Sequence, residues 1–148
     1  MSLDSPSCRL PSSGGDEDLI GRILGLHTIA VVGCSPKPER PSHYVAAYLK
    51  EQGYRVIPVN PGHAEILGEK CYPDLAAIPE PVDVVDVFRR SEEVLPVIEE
   101  AIRIKPKALW LQDGISHPQG EARARQAGLW VVSNDCMMRR HYRLHHKK

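Results

Sequence analysis

The stretch "AVVGCSPKPERPSHYV", residues 30–45, passes from an apolar segment through one glycine, then a proline-punctuated turn, into a helical pattern. Upstream, "TIAVVG" (28–33) is a continuous apolar run closed by Gly, the pattern of a strand buried on both faces. Downstream, "SHYVAAYLKEQGY" (42–54) puts Val45, Tyr48 and Leu49 on one stripe. Ser42 is the expected N-cap and Gly53 the expected C-terminal stop.

The rest of the chain repeats this strand–turn–helix unit. Further strands are predicted at "RVIPVNP" (55–61), "VDVVDVF" (82–88), "KALWLQDG" (107–114) and "LWVVS" (129–133). Pro58 has no donor N–H, so the second strand is expected to be irregular or at an edge. Helices are predicted at "DEDLIGRILGL" (16–26), from about Val94 in "SEEVLPVIEEAIRIK" with Pro96 in the first turn, at "PQGEARARQAG" (118–128) and at "DCMMRRHYRL" (135–144). Asp16, Glu17 and Asp18 suit the positive end of the first of these. Residues between the second and third strands read as a loop with one short helical turn at "PDLAAI". Strands alternating with helices predict an α/β fold, a doubly wound, mostly parallel five-stranded Rossmann-like sheet with helices on both faces.

At 148 residues the chain fits one domain. A chain this long buries about 68–70% of the surface its unfolded form exposes, enough for a core. Residues 1–15, rich in Ser, Pro and Gly, read as a disordered leader, 16–144 as the folded domain and 145–148 as a basic tail. Lys plus Arg and Asp plus Glu number 19 each, so no global field steers the protein to nucleic acid or to an anionic membrane. No segment has the length and apolarity of a membrane span, and the N-terminus lacks a secretory pattern. Cys8, Cys34, Cys71 and Cys136 match no zinc spacing and are expected as reduced thiols in a cytoplasmic protein.

In doubly wound sheets, ligands sit outside the carboxyl ends of the strands. Several informative segments fall there: 33–42, 59–62, 88–90 and 112–115. Gly33 permits a sharp turn and close approach of a ligand. Ser35 offers a hydroxyl, and the helix start at Ser42 offers orphan N–H groups and a favourable dipole for an anion. Lys37 and Arg40 add cations, Arg40 with the geometry to grip a phosphate by two bonds.

Two common nucleotide motifs are absent. An NAD turn carries Gly-x-Gly-x-x-Gly/Ala and an acidic residue closing the second strand. Here only Gly33 matches, and the second strand closes with Asn60-Pro61. The phosphate-loop pattern Gly-x4-Gly-Lys-Ser/Thr is missing too.

The segments "VVGCSPKPERPSHYVAAYL", "GYRVIPVNP", "VDVVDVFRRSEEV", "KALWLQDGI" and "GLWVVSNDCMM" together resemble the small stand-alone CoA-binding proteins. These are similar to the CoA-binding Rossmann domain of the succinyl-CoA synthetase alpha subunit. The resemblance covers about residues 16–144. It implies that the first turn cradles the CoA phosphates, which points to Gly33, Cys34, Ser35, Lys37, Arg40 and Ser42. It implies that Asn60 and Pro61 lie beside the adenosine, and that Phe88 and Arg89 flank the adenine or the pantetheine entrance. Gln112, Gly114 and Ile115 would then line the route of the pantetheine arm. The ligase's phosphorylated histidine belongs to a further domain with no counterpart in these residues. The expected function is therefore binding of CoA or an acyl-CoA, with no catalytic constellation. The residue chemistry agrees: a helix start with cations suits phosphates, Gln112 suits the amides of the arm, and Phe88 or Ile115 its apolar chain. Two other functions share this turn: an NAD(P)- or other nucleotide-dependent enzyme domain, and a protein-interaction module with a vestigial cleft. A homodimer is left open, because edges of parallel sheets often pair.

Other tempting residues have plainer explanations. Cys34 lies near a helix start, where thiolates are favoured, but no histidine partner is assignable. Asp83 and Asp86 are three apart and fall on opposite faces of a strand, so they are not a catalytic pair. Asp86 in an apolar strand is expected to need a hydrogen-bond partner. Trp110 is expected in the core. The scattered histidines, and those of "HYRLHHKK", read as surface or capping groups rather than metal ligands.

Overall fold

A computed structural model describes residues 14–146. Of the expected leader, 1–15, residues 1–13 lie outside the described residues, as do 147–148 of the tail; Gly14 and Gly15 open the first helix instead of belonging to a leader. The elements in chain order are α1 (Gly14–Leu24), β1 (Thr28–Val32), α2 (Pro41–Glu51), β2 (Arg55–Val59), β3 (Glu65–Ile66), β4 (Glu69–Lys70), β5 (Val84–Val87), α3 (Leu95–Ile104), β6 (Ala108–Leu111), α4 (Pro118–Gln126), β7 (Trp130–Val132) and α5 (Met137–His146). Short 3-10 turns span Leu75–Ala77 and Ser91–Glu93.

Five strands form one parallel sheet in the order β2-β1-β5-β6-β7. Strand order reverses between β1 and β5, so the crevice of a doubly wound sheet opens above these two strands. The apolar runs of β1, β5 and β6 are buried throughout, because helices cover both faces. Ile29 and Val31 of β1 pack with Ile23 of α1, Leu49 of α2 and Met137 of α5 on one face. Ala30 and Val32 face the other layer, with Ile98 and Ala101 of α3 and Ala124 of α4. No described helix is long and apolar enough to cross a membrane.

Pro58 lies on β2, an edge of the sheet, as its missing N–H requires. The open side of that edge is partly closed by Tyr72, whose N–H donates to the Pro58 carbonyl at 3.1 Å. The segment read as a loop contains a small antiparallel hairpin, β3–β4. Its turn places Leu67 (φ 58°) and Gly68 (φ 73°) in the left-handed region. A leucine in the position where Asn or Asp is usual hid the hairpin from the sequence.

The start of α2 also differs from expectation. Arg40 is the N-cap and Pro41 opens the helix, so Ser42 sits inside the first turn rather than capping it. The physical reason is Pro41: its fixed φ and missing N–H suit the first helical position, which moves the start upstream. α3 begins as expected, with Val94 as N-cap and Pro96 in its first turn. α5 runs to His146, so two residues of the expected tail belong to the closing helix.

Candidate functional site

At the carboxyl end of β1 the chain turns through Gly33 with φ +84°. A Cβ at this position would lie 2.6 Å from the Phe88 carbonyl oxygen, so only glycine lets β1 and β5 close here. Backbone bonds fix the junction on both sides: Gly33 N–H donates to Val59 at 2.9 Å and Phe88 N–H to Val32 at 2.9 Å. Beyond it, Ser42 Oγ accepts from the Ser35 N–H at 2.9 Å, and Ser35 Oγ accepts from the Lys37 N–H at 3.1 Å. Thus two backbone donors of the turn are satisfied by its own serines. The anion-binding capacity of the turn therefore rests on the hydroxyl protons, the α2 start and the side chains of Lys37 and Arg40.

The facing wall comes from the end of β6. Gln112 is buried, and its Oε1 accepts from the Met137 N–H at 3.1 Å, which leaves the Nε2 amide without a partner among the described residues. Gly114, at φ +80°, is held by Asn134, whose Oδ1 accepts its N–H at 2.8 Å. Ser91 Oγ accepts the Ser116 N–H at 3.0 Å, tying the β5 loop to the β6 loop. These contacts fix three strand ends around one cavity of about 1250 Å³.

Among the predicted residues, Gly33, Ser35, Lys37, Arg40, Ser42, Phe88, Arg89, Gln112, Gly114 and Ile115 all line this cavity. Cys34, Asn60 and Pro61 do not. The Cys34 side chain is fully buried in the core beneath α2, with its thiol toward the Ser42 carbonyl. Asn60 braces the turn from outside, donating from Nδ2 to the Cys34 carbonyl at 2.7 Å. Sequence reasoning missed the apolar wall made by Tyr44, Val45 and Tyr48 of α2 with Met138 and Tyr142 of α5. The spacing of Tyr44 and Tyr48, one turn apart, was the available signal for α2. Nothing local announced that α5 folds back across the sheet to reach them.

The charges in the cavity wall divide into two groups. Arg139 donates two bonds of 2.9 Å to Asp113 and a third to Asp135, and Asp113 is held below the usual carboxylate range by that bonding. Arg90 is paired with Glu93 at 2.6 Å. Lys37, Arg40 and Arg89 make no ion pair among the described residues. Those three positive charges are available to a ligand.

Beneath the floor, Asp86 stands in register between Val31 and Trp110. It is fully buried, and neither carboxyl oxygen has a hydrogen-bond partner among the described residues. The expected partner is thus absent there, and burial, which disfavours the charged form, pushes the carboxyl well above its ordinary range. Burial, then the neighbouring Cys71 and Asp86, push the Cys34 thiol up to about 12. A thiol so protonated is a poor nucleophile at neutral pH, despite its place near a helix start. Trp110 is core, as expected, and its Nε1 donates to the Asp135 carbonyl at 2.9 Å. His117 caps α4, with Nδ1 accepting from the Gly120 N–H. No group of three or more His, Cys, Asp or Glu suited to a metal ion lies among the described residues.

The family model described as "CoA binding domain" matches residues 27–142. An uncharacterized protein of Bacillus subtilis, YneT, is 38% identical over 109 residues, spanning 74% of this chain and 81% of that protein. A solved structure of a hypothetical protein from Pyrococcus horikoshii superposes with a TM-score of 0.83 at 43% identity, covering 87% of this chain and 91% of the other. Acetate–CoA ligase (ADP-forming) I of Archaeoglobus fulgidus is 35% identical over 82 residues, which are 55% of this chain and 12% of that enzyme.

Proposed function

Because this chain belongs to the CoA-binding domain family, matched over residues 27–142, we propose that it binds coenzyme A or an acyl-CoA in the cavity above β1, β5 and β6. One observation carries this reading. A single cavity joins an anion-suited turn at one wall to an amide and apolar surface at the other. Its volume of about 1250 Å³ exceeds the roughly 300–1,000 Å³ usual for drug-sized ligands, in keeping with a long cofactor.

In this reading the diphosphate lies at the α2 start against Ser35, Ser42, Lys37 and Arg40. The pantetheine arm runs past Gln112, Gly114 and Ile115, where the Gln112 amide meets a carbonyl of the arm, and the adenosine ribose lies toward Phe88 and Arg89. Cys34 and Asn60 act indirectly, by shaping the turn, and Pro61 follows Asn60 outside the cavity. The ADP-forming ligase of Archaeoglobus fulgidus names CoA among its reactants, but the chain spans 12% of that enzyme. Binding without covalent chemistry is also what a protonated Cys34 allows.

Isothermal titration with CoA and with acetyl-CoA tests the proposal. Saturable heat is expected with at least one of them, and no saturation at millimolar ligand would refute it. Mass spectrometry of ligand released from freshly purified protein identifies the acyl group without presupposing it.

A further inference from the structure

Resting on the coenzyme A reading above, we propose that Arg89 makes the site selective for a nucleotide whose ribose carries a phosphate separate from its diphosphate, the 3′-phosphate of coenzyme A. The cations of the cavity wall are not equivalent. Arg90 and Arg139 are already neutralised by Glu93 and Asp113. Lys37 and Arg40 belong to one turn, the segment between β1 and α2, and both line the cavity beside the α2 start. Arg89 is carried by a different strand end, one residue beyond Phe88, whose N–H is tied to Val32. It is partly buried in the cavity wall and has no carboxylate partner among the described residues.

A guanidinium that loses water without gaining a counter-ion is unfavourable, so an anionic ligand group accounts for its placement. The diphosphate is already served by the turn, and the pantetheine arm is uncharged. A second, separate phosphate remains, and the planar fork of arginine suits it. NAD and ADP have no such phosphate. NADP has one, on the 2′ oxygen, and is the other source of this chemistry.

The test is calorimetric titration of wild type, Arg89→Ala, Arg89→Gln and Arg40→Ala with CoA, dephospho-CoA and NADPH, with thermal melts to show that each variant is folded. Wild type is expected to bind CoA about tenfold to hundredfold more tightly than dephospho-CoA. Both Arg89 variants should lose that preference while keeping the affinity for dephospho-CoA. Arg40→Ala should weaken both ligands alike and keep their ratio. Equal binding of CoA and dephospho-CoA by wild type would overturn the inference while leaving the coenzyme A reading intact. So would an Arg89 variant that weakens both alike. NADPH binding more tightly than CoA, or no saturation by either CoA form, would overturn the coenzyme A reading and this inference with it.

Discussion

Gly33 and Phe88 meet so closely that a single methyl group on Gly33 would stand 2.6 Å from the Phe88 carbonyl oxygen. This contact closes the two strands between which the sheet order reverses, and it sets the floor from which the cavity opens. Gly33→Ala must relieve a clash with backbone and also adopt φ +84°. A loss of about 1–3 kcal/mol in unfolding free energy is expected, read from urea melts, together with weakened CoA binding. Unchanged stability and unchanged affinity would show that the β1–β5 junction is not the site's foundation.

Arg40 is exposed at the α2 N-cap, and no side-chain bond holds it in the helix. Truncation to Ala is expected to weaken CoA binding about tenfold to hundredfold with little change in melting temperature. Rising salt should reduce the gap between wild type and variant, because the contact is screened. A variant that binds as tightly as wild type would remove Arg40 from the phosphate site.

Asp86 gives the protein a pH dependence of a particular sign. Its folded pKa lies well above the roughly 3.9 of an unfolded chain, so its contribution is complete below that value. As pH rises toward the folded pKa, the unfolded chain releases a proton that the folded one retains. Stability then falls by about 1.4 kcal/mol per pH unit from this group. Asp86→Val should flatten the profile above about pH 4 and raise stability at neutral pH, with a gain over wild type that grows as pH rises. Denaturant midpoints across pH decide it; a variant that is less stable at neutral pH with the same slope would contradict this account.

Cys34 is expected to resist alkylation. Its thiol is buried and titrates near 12, so iodoacetamide at pH 8 should leave the Cys34 peptide unlabelled until denaturant is added. Because its folded pKa is raised from 9.0, its stabilising contribution is full below that value and is lost as pH climbs toward about 12. Rapid labelling of the native protein at Cys34 would revive a chemical role for this thiol.

Gln112 couples the site to the closing helix by accepting the Met137 N–H. Gln112→Leu leaves that buried donor without its acceptor and should lower stability by about 1–3 kcal/mol. Hydrogen exchange should accelerate first in α5, the helix that the bond anchors. Uniform protection in α5 would place the anchor elsewhere.

The alternation of apolar strands with helical stripes fixed the fold class in the sequence, because a strand buried on both faces must be apolar throughout and a covering helix needs only one apolar stripe. The Gly33 turn was legible for a related reason: a left-handed φ beside a packed strand leaves one residue type that fits. What the sequence did not show depends on distant chain meeting in space. Ser42 became a brace for Ser35 because Pro41 moved the helix start, and the packing around Asp86 left it without a partner among the described residues. The apolar wall of Tyr48 and Met138, and the pairing of Arg139 with Asp113, exist because α5 returns across the sheet. Local patterns record the periodicity and backbone geometry of one segment. Which charges are neutralised, and which donors are already occupied, is decided when separate segments pack.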